Sequence, residues 1–363
     1  MSRVVLAMSG GVDSSVAAWL LRSSGHDVTG VFMRHGPPDV TASLPNSAGP
    51  PSNSGKPSGC SAADAADARR IAERLQIPFY VLNFENQFER IIDYFVDQYM
   101  AGRTPNPCIL CNTWLKFGKL FDYADSIGAD YVATGHYARL VRQNDGQIAL
   151  LRGVDSTKDQ AYALFGIDRR ALPRVRFPVG ERRKEEIRRI AAEQGFAVAG
   201  KRDSQEICFV PDQNHARFVR LRRPDLQTSG EVVTTDGTVV GRHDGFERFT
   251  VGQRKGLGIA MGEPYYVVRI EPLARRVVLG RREELARHEL TAGEANWLID
   301  PPEEPFRAAV KIRYRSRAVD ATITPLAPSR FHVAFDEPRH GVAPGQAAVC
   351  FAGDRVLGGG WIE

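Results

Sequence analysis

Val4-Val5-Leu6-Ala7-Met8-Ser9-Gly10-Gly11-Val12-Asp13-Ser14-Ser15 is the stretch that decides the fold. Val4 to Met8 is a short, uninterrupted apolar run that opens on two β-branched residues, the pattern of a strand buried on both faces of a parallel sheet. Val12, Val16 and Trp19/Leu20 then recur at helical spacing as far as Gly25, which reads as a helix stop. A strand, a turn with two glycines and a helix N-terminus gather unpaired backbone N–H groups and the positive end of a helix dipole around one concavity, which suits a phosphate. The plainer reading is a βα turn with a Ser or Asp cap. Neither G-x-x-x-x-G-K-[ST] nor G-x-G-x-x-G is present here, so the loop itself carries no lysine for a γ-phosphate.

Working outward, strand-like and helical segments alternate. Asp27 to Met33 reads as a second strand and Pro78 to Asn83 as a third. Ser61-Ala62-Ala63-Asp64 is a candidate capping box for a helix running to about Gln76. Asn86 to Ala101 and Thr113 to Ile127 are amphipathic helices, and Asp130 to Thr134 is a further strand. This order predicts an α/β fold with a doubly wound parallel sheet, whose ligands sit beyond the carboxyl ends of the strands. Arg34 to Gly59, rich in Pro, Ser and Gly, reads as a surface insertion. Asn144-Asp145-Gly146 marks a hairpin between Tyr137 and Leu151, and Lys184 to Gly195 a helix. From about Glu284 the chain is strand-like, predicting a small antiparallel barrel or sandwich. Three parts are expected: an α/β domain at 1–217, a small central domain at 218–283 and a C-terminal β-barrel at 284–363.

Composition bounds the function. At 363 residues and 43% hydrophobic content, the chain can bury a sizeable core. No apolar run reaches membrane-spanning length and the start lacks a signal-peptide pattern, so a cytoplasmic protein with no membrane partner is expected. The net charge of +5 is mild, but nine basic residues against three acidic ones lie between Arg169 and Arg189, followed by Arg217, Arg220, Arg222 and Arg223. That run is either a solvated helix face or a polyanion site. Five cysteines in so long a chain argue against a disulfide framework. Cys108 and Cys111 form a C-x-x-C pair expected on a loop or helix start, open to redox, metal or nucleophilic roles. Cys208 stands alone between Ile207 and Phe209, where a buried apolar role competes with a nucleophilic one. Cys60 and Cys350 read as structural.

Ser9-Gly10-Gly11-Val12-Asp13-Ser14 resembles the PP-loop of the N-type ATP pyrophosphatases, which implies cleavage of ATP between its α- and β-phosphates. Arg103-Thr104-Pro105-Asn106-Pro107, Cys111-Asn112, Ala133-Thr134-Gly135-His136-Tyr137, Lys158-Asp159-Gln160, Asp203-Ser204 with Ile207-Cys208-Phe209, Gly252 to Gly258 and Pro344-Gly345-Gln346 follow in order. Together these motifs, from Val4 to Glu363, resemble the tRNA-specific 2-thiouridylases. The resemblance implies 2-thiolation of the wobble uridine of tRNA. Adenylation turns the poor C2 oxygen leaving group into AMP, and sulfur then attacks C2.

By the same resemblance, ATP with Mg2+ occupies Ala7, Met8, Ser9, Gly10, Gly11, Val12, Asp13 and Ser14, with Met33 and Gly135 flanking the adenine. Cys208 carries a persulfide supplied by a donor or relay protein, Cys111 releases the sulfur, and a Cys111–Cys208 disulfide remains. Asn106, Pro107 and Cys108 surround the flipped uridine, while His136, Lys158, Asp159, Gln160, Arg313, Tyr314 and Gln346 contact tRNA. Some members carry an acidic residue where Cys108 stands, so a [4Fe–4S] cluster on Cys108, Cys111 and Cys208 is a second route to the same product. The loop is also compatible with a PP-loop amide ligase, which leaves the cysteines without a task, and with an RNA-binding protein whose loop is degenerate.

Overall fold

The computed structural model describes residues 1–34, 61–203, 207–210 and 214–363. Cys60, Ser204 and all of the Pro/Ser/Gly-rich stretch after Arg34 lie outside them. The chain divides into two compact units, one made of residues 1–91, 111–160 and 170–211, the other of 92–110, 161–169 and 212–363.

In chain order, β1 (Arg3–Ala7), α1 (Val12–Ser23), β2 (Asp27–Arg34), α2 (Ala62–Arg74), β3 (Phe79–Asn83) and α3 (Glu85–Met100) come first. The short α4 (Pro107–Leu110), a wide-turn π-helical stretch at Cys111–Lys119, α5 (Leu120–Ser126) and β4 (Tyr131–Ala133) follow. A hairpin of β5 (Ala138–Arg142) and β6 (Ile148–Arg152) precedes β7 (Val175–Arg176), α6 (Lys184–Glu193) and α7 (His215–Arg222).

Five strands of the first unit form a wholly parallel sheet in the order β3-β2-β1-β4-β7. Val4, Val5 and Leu6 are fully buried, as the apolar run requires of a central strand. Val12, Val16 and Leu21 of α1 join Ile71 and Leu75 beside α2, and Ile187 and Ile190 of α6, in one core. Ser61 closes the expected capping box on α2: its hydroxyl accepts from the Asp64 N–H, and the Asp64 carboxylate accepts from the Ser61 N–H. The order reverses at β1, with β2 on one side and β4 on the other. Ligands of open α/β sheets bind at such a switch point, outside the carboxyl ends of the strands.

In the second unit, β8 (Gly230–Thr234), β9 (Val239–His243), β10 (Tyr266–Glu271) and β11 (Arg276–Gly280) make a four-stranded sheet. Then β12 (Ala286–Trp297), β13 (Phe306–Lys311), β14 (Val319–Ala327), β15 (Arg330–His340), β16 (Ala347–Ala352) and β17 (Arg355–Ile362) pair in the order β12-β15-β14-β13-β16-β17. Pairing of β12 with β17 closes this set into an antiparallel barrel. The doubly wound sheet and the C-terminal barrel are those the sequence predicts, and closure decides the barrel against the sandwich. Val310, Ile323, Phe331, Val333 and Cys350 fill its interior. Burial pushes the Cys350 thiol up to about 12, consistent with a structural role. Among the described residues, no helix is long and apolar enough to cross a membrane.

Candidate active site

The Ser9–Ser14 loop leaves the carboxyl end of β1 and enters α1 at the switch point. Gly10 takes a left-handed conformation at φ +71°, and a Cβ there would collide with the backbone of Asp64. Gly11 is the N-cap of α1 and offers no capping side chain, which leaves the first N–H groups of the helix open to a ligand. The loop is held from within: Ser14 Oγ accepts from the Ser9 N–H at 3.2 Å, and the Ser15 hydroxyl donates to the Gly11 carbonyl at 2.8 Å. Gly135 follows β4 on the other side of the switch point. A Cβ on Gly135 would lie 2.8 Å from Ser14 N and 2.9 Å from the Asp13 carbonyl carbon, so only glycine lets the two loops meet. Ala7, Met8 and Met33 are buried near the carboxyl ends of β1 and β2. These residues make a backbone cradle of the kind a nucleotide phosphate fits.

Asp13 is not a lone carboxylate. Lys184 Nζ lies 2.7 and 2.8 Å from its two oxygens, and the Tyr137 hydroxyl donates to it at 2.7 Å. Burial first, and then the Asp13 charge, push the Tyr137 phenol far above its ordinary value, so it stays a donor. The same Lys184 ammonium lies 2.8 Å from Asp203 Oδ1. Asp203 also receives Lys158 at 2.8 Å and Arg188 at 3.0 Å. Burial raises the Asp203 carboxyl, but Lys158 and Lys184 outweigh it and hold the group below the usual carboxylate range. A second cation supports the loop from behind. Lys201 donates to the Gly10 carbonyl at 3.0 Å, to Asp64 at 2.6 Å and to Asp67 at 2.7 Å.

Sequence reasoning missed Lys184 and Lys201. Lys184 was hidden in the basic run, yet it stands at the first position of α6, where the helix dipole disfavours a cation. That misplaced charge is the signal that could have found it. The run itself is largely internal: Arg174 pairs with Asp125, Arg182 with Glu186, Arg189 with Glu193, and Arg176 donates to backbone carbonyls. Of the two readings of this run, these exposed pairs favour the solvated helix face.

Four residues expected at tRNA, His136, Lys158, Asp159 and Gln160, lie in the first unit. His136 is only 6% exposed, with Nδ1 2.6 Å from the Thr134 hydroxyl and its ring beside Phe117 and Phe177. Asp159 is buried and accepts from the Gly153 N–H, while Gln160 Oε1 accepts from the Tyr137 N–H at 3.0 Å. Lys158 is spent on Asp203. This motif thus ties a turn to Tyr137, the residue that holds Asp13.

Cys111 opens the π-helical stretch and is half-buried, and Cys208 sits half-buried in the turn Ile207–Val210. Phe209 packs edge-on against Phe88, with ring centroids 5.5 Å apart. Both thiols belong to the first unit. Cys108, Cys111, Cys208 and Cys350 are all present as thiols. Among the described residues, no three His, Cys, Asp or Glu side chains group to hold a metal.

In the second unit, α4 begins with Pro107, a favoured first helical residue. It exposes Cys108 and half-buries Asn106. Gln346 Nε2 donates to the Thr104 carbonyl at 2.9 Å and to Pro105 at 3.3 Å, and the Thr104 N–H donates to the Pro344 carbonyl at 2.8 Å. Two motifs some 240 residues apart are thus one turn. Arg313 donates to the carbonyls of Val251 and Gly341 at 2.7 and 2.6 Å, so it too is a brace; Tyr314 is 39% exposed.

A parallel sheet with a glycine cradle at its switch point, an Asp held by a lysine and a tyrosine, and two half-buried thiols define a PP-loop nucleotide-activating protein. The family described as tRNA methyl transferase HUP domain matches residues 2–212, with a PRC-barrel domain at 218–281 and an aminomethyltransferase β-barrel domain at 287–362. The tRNA-specific 2-thiouridylase MnmA of Rhodopirellula baltica is 54% identical over 100% of this chain and 96% of its own length. Those of Geobacter metallireducens and Clostridium perfringens are 50% and 45% identical, each over 99% of this chain and over 96% and 98% of their own lengths. The chain belongs to the tRNA-specific 2-thiouridylase family.

Proposed function

We infer that this protein uses ATP to replace the C2 oxygen of the tRNA wobble uridine with sulfur. The observation that carries this is the meeting of Gly135 with the Ser9–Ser14 loop at the switch point, in a unit that also holds Cys111 and Cys208. ATP, with Mg2+, is the activating substrate. The uridine O2 attacks the α-phosphate and pyrophosphate leaves. The terminal sulfur of a Cys208 persulfide then adds at C2 and AMP departs with the original oxygen. Cys111 attacks Cys208 Sγ, which frees the thiocarbonyl and leaves a disulfide for an external thiol to reduce. The persulfide comes from a sulfur-donor protein in the cytoplasm, the compartment that fits a tRNA substrate and reducible thiols.

Within this reading, residues 1–217 activate the base, and 218–283 with 284–363 bind tRNA. Asn106, Cys108 and Tyr314 face the nucleic acid. Pro107, His136, Lys158, Asp159, Gln160, Arg313 and Gln346 act by positioning. The test is mass spectrometry of tRNA incubated with protein, ATP and a persulfide donor. An exchange of one oxygen for sulfur is expected, absent in Cys208→Ala and in Cys111→Ala; normal thiolation by both variants would refute the cysteine chemistry. Asp13→Ala is expected to abolish AMP formation while leaving tRNA binding within about twofold, since surface contacts lie elsewhere.

A further inference from the structure

Lys201 holds the nucleotide loop by one atom, the Gly10 carbonyl oxygen, at 3.0 Å. Its other two ammonium hydrogens go to Asp64 at 2.6 Å and Asp67 at 2.7 Å, both in the first two turns of α2. With three hydrogens on three acceptors, the ammonium acts on the loop through Gly10. Burial lowers its pKa, but the bonds to Asp64 and Asp67 outweigh this and hold the group above its ordinary value, so it stays charged. Asp64 also meets Gly10 through its backbone, since a Cβ on Gly10 would lie 2.1 Å from the Asp64 carbonyl oxygen. Lys201 is anchored in turn: its N–H donates to the Val198 carbonyl at 2.9 Å, and its carbonyl accepts from Arg188 at 3.0 Å. All of these residues belong to the first unit.

A trans peptide sets its C=O and its N–H in opposite directions. The Gly10 carbonyl that faces Lys201 therefore turns the Gly11 N–H away from it. Between two glycines this peptide can turn over at little steric cost, a step that would carry the φ of Gly11 from −98° into the positive region. The next carbonyl along, that of Gly11, is already pinned by the Ser15 N–H at 3.2 Å and the Ser15 hydroxyl at 2.8 Å. We propose that Lys201 is a positioning residue that locks the Gly10–Gly11 peptide with the Gly11 N–H turned toward the phosphate cradle, so that ATP meets a preset donor. This deepens the reading of the loop as an ATP site and rests on it. A reversed peptide would offer the anion a carbonyl oxygen in place of an N–H.

The experiment measures binding of ATP, inorganic pyrophosphate and adenosine to the full chain by calorimetry. Lys201→Met is expected to weaken ATP and pyrophosphate about tenfold, the worth of one hydrogen bond to a charged group, and to leave adenosine within about twofold. Lys201→Met combined with Asp67→Asn removes a carboxylate along with the ammonium and so keeps the charge of the set. It is expected to show the same loss, and it serves if the single variant does not fold. The deciding comparison is a Gly11→Ala background. Alanine is at ease at φ −98°, with Ser9 Oγ 3.4 Å from its Cβ, but not at the positive φ of a reversed peptide. The cost of Lys201→Met is therefore expected to shrink to about twofold there, and comparing costs within each background cancels any direct effect of the methyl group. An equal cost in both backgrounds, an equal loss of all three ligands, or an unchanged pyrophosphate affinity in both Lys201 variants overturns the proposal. A wild-type protein that binds neither ATP nor pyrophosphate would instead refute the ATP-loop reading beneath it.

Discussion

A cation at the first position of a helix faces the positive end of the helix dipole, and Lys184 tolerates that position because two carboxylates surround it. Removing one member of such a buried set typically costs about 3–5 kcal/mol when a charge is stranded; here the extra partners of Asp13 and Asp203 soften that loss. His136 is the opposite case, a titratable ring kept neutral. Burial first, and the nearby Lys116 charge second, hold its pKa well below 6.5. The unfolded chain takes up a proton near pH 6.5 and the folded one does not. The stability this ring contributes is therefore complete above pH 6.5 and is lost as the pH falls below it, by up to about 1.4 kcal/mol per pH unit. Thermal melts at pH 7.5 and 5.5 should show a larger drop in Tm for wild type than for His136→Gln. Equal drops would mean the ring is not held neutral. Gly135→Ala has no such titration. Its methyl group would press on the Ser14 and Asp13 backbone, and a strain of about 1–3 kcal/mol should weaken ATP binding tenfold or more by calorimetry.

At the scale of elements, the turn built from Thr104–Pro105 and Pro344–Gln346 has one side chain holding two carbonyls. Gln346→Ala should lower the urea midpoint of the second unit by the equivalent of about 1–2 kcal/mol and weaken tRNA binding, measured by filter retention, with ATP binding unchanged. Most elements of the first unit are legible in the sequence. The buried run at Val4, the Ser61 capping box and the Asp145-Gly146 hairpin all carry local signals strong enough to survive folding. Two barrel strands do not. β17 reads Gly358-Gly359-Gly360 in its middle, which in isolation signals a turn. Packing makes it a strand, because a Cβ on Gly359 would lie 2.7 Å from the Ala348 carbonyl and one on Gly360 2.6 Å from that of Gly293. β12 is likewise strand only through its partners β15 and β17. The kink at Phe117, whose φ of −114° and ψ of 19° leave the helical region, was equally unreadable, since the sequence shows one unbroken helix over Thr113 to Ile127. In the site, glycines and cysteines were legible because chemistry restricts those positions. The partners of Lys184 and Lys201 were not, because a pairing across 171 or 191 residues leaves no local trace.

Over the whole molecule, each unit has its own core, and damage should stay in the unit that suffers it. Phe331 is fully buried in the barrel, with its ring 5.2 Å from that of Trp297. Phe331→Ala should cost about 3–5 kcal/mol, read as a lowered denaturation midpoint, while calorimetric ATP affinity stays at the wild-type value. A fall in ATP affinity to match would show that the cores are not independent. The parallel sheet adds a constraint in time. The loop that begins at Ser9 needs Gly135 beside it, Lys184 against Asp13 and Lys201 behind Gly10. At roughly 5–20 residues per second of synthesis, the ribosome finishes the first part of this cradle tens of seconds before the last. A nascent chain that stops short of Lys184 therefore presents a glycine turn without its cations, and ATP, by mass action, can stabilise only a chain that has completed the unit.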